Sequence, residues 1–285
     1  MPANRFRLAF ILAMFAVMVV PQSWAGSGEQ RAWAMFEAAA KSESTAGRET
    51  GIRALGLLRG KARARELAEG ALDDPKPEVR IAAAAALEEM HAVESIPKLQ
   101  KVLSDEKISV VMAAAHALRS MKDDASAYAV YFDVLTGGQR PGGLVQQQLD
   151  TLRNPKELAM IGLQTGIGYV PFAGIGWDAW RYTHKKNPHP VKAIAASFLA
   201  HDPDPATGVA LAEAIKDKDW IVRAAAIEAL AQRGDPAFEG KIEYSFFDAN
   251  AHVRYTAAAA VIRLSEIAKS RKQTAKDSAQ AKNPQ

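Results

Sequence analysis

With no cysteine among its 285 residues, the chain can form neither a disulfide nor a thiolate nucleophile, so its fold must be held by packing alone. The formal net charge is +4, and it falls to +2 if the stretch carrying Arg5 and Arg7 is removed. So slight an excess gives no reason to expect nucleic acid as a partner.

The N-terminus has the layout of a secretory signal. Arg5 and Arg7 precede the uncharged apolar run of residues 8–20, Pro21 breaks it, and Ser23-Trp24-Ala25 sets small residues where a signal peptidase reads. That run is too short to span a bilayer comfortably. The spacing therefore predicts export, to the periplasm or beyond, with a mature chain from about Gly26. No cysteine follows, which leaves no acceptor for a bacterial lipid anchor.

Residues 29–40 and 48–59 read as two helices forming an N-terminal cap, in which Ile52-Arg53 faintly echoes a pair that recurs later. Beyond them the chain repeats itself. Residues 73–87 (DDPKPEVRIAAAAAL), 104–118, 186–199, 216–230 and 247–261 align without gaps on anchor valines Val79, Val110, Val191, Val222 and Val253. Three of the four intervals are 31 residues and the second, from Val110 to Val191, is 81, giving two in-phase blocks around an irregular middle. Four residues after each anchor stands Ala83, Ala114, Ala195, Ala226 or Ala257, and eight after it Leu87, Leu118, Leu199, Leu230 or Val261. Those positions share one helical face, and its small centre allows close approach. A stripe repeated at this interval is buried only by stacking on its neighbours, which defines a solenoid. The first helices of the pairs fall by subtraction at residues 61–72, 96–103, 207–216 and 236–247. The sequence 201–205 (HDPDP) reads as a rigid turn between units.

A second column is polar. Asp74, Asp105, Asp217 and Asp248 stand five before the anchor, where an aspartate can accept from the free N–H groups of the first turn. Arg80, Lys192, Arg223 and Arg254 follow the anchor by one. Stacking predicts a structural ladder of ion pairs between units rather than a binding stripe, since each cation comes with an acid. Val111 and Lys186 depart from the pattern.

The run D-x-x-x-x-V-R-x-x-A-A-x-A-L resembles the HEAT-like repeats of phycobilisome lyases, a family of binding scaffolds. The resemblance implies an all-α solenoid of helix pairs wound into a right-handed superhelix, second helices on the concave side. It implies little about function, because the family hosts different roles.

The middle breaks the pattern. Residues 125–152 read as a degenerate repeat split by a glycine-rich turn, and residues 158–177 are uncharged, with five glycines and Pro171. Pro171 predicts two short helices meeting at a turn, each too short to cross a bilayer. This Gly-rich hairpin insert, with Ile161, Tyr169, Phe172, Ile175, Trp177 and Trp180 as its apolar contacts, is the expected surface for an unknown protein partner or for membrane contact. The resulting division is a signal peptide at 1–25, cap and repeats at 26–153, insert at 154–185, repeats at 186–269, and a disordered tail at 270–285.

Catalytic chemistry finds no foothold. None of the six histidines precedes a glutamate, so the His-Glu metal pairs of HEAT-like iron hydroxylases are missing. His184, His189, His201 and Asp202 follow no zinc pattern and read as solvated loop residues. No nucleophile elbow, phosphate loop or dinucleotide fingerprint occurs. The reading is a non-enzymatic scaffold with no cofactor and no metal.

Overall fold

The computed structural model describes residues 26–135, 192, 193, 196, 197 and 199–282, and every regular element among them is helical. The helices are α1 (Gly28–Ala40), α2 (Thr45–Ala54), α3 (Ala62–Ala71), α4 (Pro77–Met90), α5 (Ile96–Val102), α6 (Ile108–Ser120), α7 (Asp124–Leu135), α8 (Pro205–Ala214), α9 (Trp220–Arg233), α10 (Glu239–Glu243) and α11 (Ala251–Lys282). Short 3-10 turns link several of them, and residues 192, 193, 196 and 197 are also helical.

The repeat columns are the core. Val79, Val110 and Val253, the alanines Ala83, Ala114, Ala226 and Ala257, and Leu87, Leu118, Leu230 and Val261 are all fully buried. A methyl at the central position lets second helices pack face to face, α4 on α6 and α9 on α11. Leu199 departs from its column: it is 37% exposed and lies in a 3-10 turn, Leu199–His201. Val191 and Ala195 lie outside the described residues.

The order of units in space is not their order in the chain. α11 packs on α9 on one side and on α1 and α2 on the other, and α2 packs in turn on α4. The array therefore runs α8/α9, α10/α11, α1/α2, α3/α4, α5/α6, α7, with the two blocks joined through their termini. Residues 29–59, read from sequence as an end cap, are an inner unit. The physical reason is that this pair has apolar surface on both sides. Phe36 is buried and stacks on Tyr255 with ring centroids 6.1 Å apart. Gly51 sits so close beneath Ala39 that a Cβ there would lie 2.5 Å from the alanine methyl, with the Tyr255 ring at 3.7 Å. Ion pairs Arg31–Glu243, Lys61–Glu266 and Lys269–Glu29 flank this seam.

The start of α1 is fixed locally. Ser27 and Gln30 form a reciprocal capping box, which satisfies two donors that a helix start leaves free. At the other end, the segment from 270 that the sequence assigned to a disordered tail continues as helix to Lys282. Residues 269–280 are exposed, and their alanines, lysines and glutamines are strong helix formers that prolong a helix already nucleated by α11.

Candidate functional site

Two features of the described residues could carry function: the polar column between units and the inner face of the second helices. In the column, Arg80 reaches forward to the next unit's turn, with Nε 2.7 Å from Asp105 Oδ2 and Nη2 2.8 Å from Oδ1. Arg223 does the same to Asp248 at 2.7 and 2.8 Å, and Lys192 reaches Asp217 at 2.8 Å. Each of these arginines also turns Nη1 back onto its own turn, Arg80 onto the Asp74 carbonyl at 2.8 Å and Arg223 onto that of Asp217 at 2.9 Å. The fork thus ties two successive turns together.

The aspartates act one step earlier than the sequence suggested. Asp74, Asp105, Asp217 and Asp248 each accept from the backbone N–H two residues on, at Lys76, Lys107, Asp219 and Asn250, at 2.8–2.9 Å. Those residues are the helix N-caps, so the carboxylate closes an Asx turn that presents the helix instead of capping its first turn. Burial pushes the Asp74 and Asp248 carboxyls up, but the hydrogen bonds from Arg48 and Arg223 and from the turn N–H outweigh it, leaving both below the usual range.

A rung missing from the sequence reading starts at Arg48, whose Nε and Nη2 lie 2.7 and 3.0 Å from Asp74. Arg48 follows Gly47, and Gly51 and Leu55 stand four and eight after that glycine. α2 therefore has the internal spacing of a repeat, with its anchor position 32 residues before Val79, one more than the usual interval, and the Ile52-Arg53 echo does not occupy that position. A glycine in the anchor column hid it; the spacing of Arg48, Gly51 and Leu55 could have shown it.

The inner face is built from the ends of the second helices. His116 Nδ1 on α6 lies 2.9 Å from Glu88 Oε2 on α4, a bond that raises the imidazole pKa against the opposing effect of burial. Next to it Glu89 folds over Gly56. Its carboxyl is raised by burial, with Arg53 and Arg59 pulling the other way. On α9, Glu228 is pushed up to about 7, first by burial and then by the charge of Glu89. These two carboxylates feel each other although α11 and α2 stand between their helices. Glu88, Glu89 and Glu228 are each partly exposed on their second helices, poorly hydrated yet reachable, which suits them to contact a partner.

Ile161, Tyr169, Phe172, Ile175, Trp177 and Trp180, like the N-terminal segment read from sequence as an export signal, lie outside the described residues. His201 is exposed, and Asp202 is occupied within its own turn by Thr207 at 2.6 Å and the Asp204 N–H at 3.1 Å. No group of three metal-ligating side chains occurs among the described residues.

The HEAT repeat family matches residues 64–131 and 182–244. Those two stretches carry HEAT repeats. The stacked helix pairs agree with that family throughout, and the structure extends the repeat to α1/α2 and α11, beyond the matched residues. No curated protein matches the chain. Among solved structures, human deoxyhypusine hydroxylase in complex with glycerol aligns over 84% of this chain and 97% of its own, at 16% identity and a TM-score of 0.32.

Proposed function

We propose that this HEAT-repeat chain is an exported, non-catalytic scaffold that holds a protein partner of the bacterial envelope on its inner face. The observation that carries the reading is the set of partly exposed polar side chains on the second helices, His116 on α6 bonded to Glu88 on α4 at 2.9 Å, with Glu89 and Glu228 beside them in the same class of position. Among the described residues Glu228 accepts from Gln232 Nε2 at 3.2 Å, and the charge that raises it further is another carboxylate, Glu89. A lysine or arginine from a partner would ionise it and remove that repulsion, so binding should release a proton near neutral pH. The test is capture of envelope proteins by the native chain, repeated with Glu228→Lys and Glu88→Lys. A partner held equally well by both folded variants would overturn the inner-face reading. Export is checked separately: the mature pool should contain a species beginning near Gly26, and retention of Met1 would refute processing.

The uncharged run at 158–177 supports a second reading, contact with lipid or a membrane protein. No helix among the described residues is long and apolar enough to cross a membrane. Flotation with liposomes separates the two: binding that is lost on deleting residues 161–175, with the repeats still folded, favours the second.

A further inference from the structure

Among the described residues, one step of the ladder has its cation but no aspartate. Its rungs are Lys192–Asp217, Arg223–Asp248, Arg48–Asp74 and Arg80–Asp105. In array order a fifth belongs between α11 and α2, where the two blocks meet. The cation is there: Arg254 follows Val253, and its Nη1 folds back onto the carbonyls of Asp248 at 2.7 Å and Ala249 at 2.9 Å. That is the posture of Arg223, whose Nη1 takes the Asp217 and Lys218 carbonyls at 2.9 and 3.1 Å. The receiving turn is there too. In the α2 unit, Ser42 stands at the aspartate position, its carbonyl accepts from Arg48 at 2.8 Å, and its hydroxyl takes the Ser44 N–H at 3.2 Å. A hydroxyl has closed the turn but supplies no charge. Among the described residues no group meets Arg254 Nε or Nη2, the two donors that hold a carboxylate in every other arginine rung.

We propose that this seam is a carboxylate-binding site, in which Arg254 Nε and Nη2 receive a carboxylate from outside the array in the place that Ser42 leaves empty. Arg254 is partly accessible, and a planar guanidinium fork selects a carboxylate by paired parallel hydrogen bonds. Three arginine rungs of the same protein serve as templates for that geometry. Because the seam is also where the two blocks meet, a bound carboxylate would fasten them as the internal aspartates fasten other units. The site is independent of the inner-face reading and uses none of its residues.

The test begins with Ser42→Asp, which supplies the missing group internally. It should raise the melting temperature by ~2–4 °C, and the gain should vanish in an Arg254→Gln background but survive in part in Arg254→Lys. Acetate, compared with chloride at matched ionic strength, should raise the melting temperature of the native protein and not that of Ser42→Asp, where the place is taken. A capped peptide bearing one aspartate, tried beside acetate, tells a side-chain source from a free acid by its larger shift. If Ser42→Asp is neutral, or acts equally without Arg254, the fork does not face the seam and the proposal fails. If Ser42→Asp stabilises but neither acetate nor the peptide shifts the native protein, the rung is closed to external ligands and the proposal fails as well.

Discussion

At the scale of single residues, what decides each contribution is whether a charge is left stranded. Arg223 and Asp248 are mostly buried, at 17% and 11% side-chain exposure. Arg223→Ala would leave the carboxylate with only its turn N–H and should cost about 1–3 kcal/mol in chemical denaturation. Arg254→Ala strands no carboxylate and should cost clearly less; equal losses would mean that the carbonyl bonds, not the ion pair, hold the turn. The pH dependence follows with a definite sign. Asp74, Asp248 and Glu69 have folded-state pKa values below their ordinary ones. For Glu69, burial works against this, but bonds from Ser95 at 2.6 Å, Lys98 at 2.9 Å and Arg65 at 2.8 Å prevail. Their stabilisation is present above the unfolded carboxylate range and is lost as pH falls through the folded values. Glu228 runs the other way. Its folded value of about 7 lies above the ordinary one, so its ionisation weakens the fold as pH rises toward 7. Glu228→Gln should therefore raise the melting temperature at pH about 8 and leave it little changed at pH about 5. A variant that gained equally at both would show that charge is not the cause.

For whole helices, spacing carries the information and the glycines test how it is used. Gly51 and Gly70 are both helical, but their surroundings differ. A Cβ at Gly51 would lie 2.5 Å from the Ala39 methyl, whereas one at Gly70 would meet nothing within 4 Å. Helix propensity alone favours alanine at both by ~0.5–1 kcal/mol. We expect Gly70→Ala to stabilise by about that amount and Gly51→Ala to destabilise, because α1 cannot withdraw without opening its contact with α11; calorimetry of both variants decides. The same contrast explains what the sequence could show. Columns of valine, alanine and leucine at a fixed interval identified four of the second helices, since burial on one face leaves that mark directly. α2 escaped because its anchor position is Gly47, beside the serines of its own turn, and its central position is Gly51, packed on Ala39. Arg48 still follows the anchor position by one, but it lies 32 rather than 31 residues before Arg80, and a single arginine without its valine does not stand out. The aspartate column was legible as a ladder, while the N–H each aspartate accepts depended on a turn geometry that residue identity does not specify. The inner-face carboxylates left no mark either, since Glu88, Glu89 and Glu228 stand at different offsets from their anchors.

Taken as a whole molecule, the repeats are a stack whose chain order and spatial order differ, and that arrangement sets its cooperativity. Units in a solenoid are stabilised by their nearest neighbours, and about three are needed for independent stability. In chain order the second block would be one neighbour of the first through residues 136–191. In space α11 rests on α1 and α2, and the aromatic stack of Phe36 on Tyr255 lies in the middle of that contact. Phe36→Ala should cost roughly 3–5 kcal/mol, and by hydrogen exchange it should expose α9 and α11 before α6 and α7. Cutting the chain gives the stronger test. A fragment of residues 186–285 holds only the units of α8/α9 and α10/α11 with part of another, and lacks the α1/α2 face on which α11 is buried. Alone it should show little helicity. Mixed with a fragment of residues 26–135, it should associate through the seam and regain helical signal, and Phe36→Ala in the partner fragment should weaken that association by at least a hundredfold. If the second block folds alone and ignores the first, the contact between termini does not organise the protein, and the two blocks are separate solenoids on one chain.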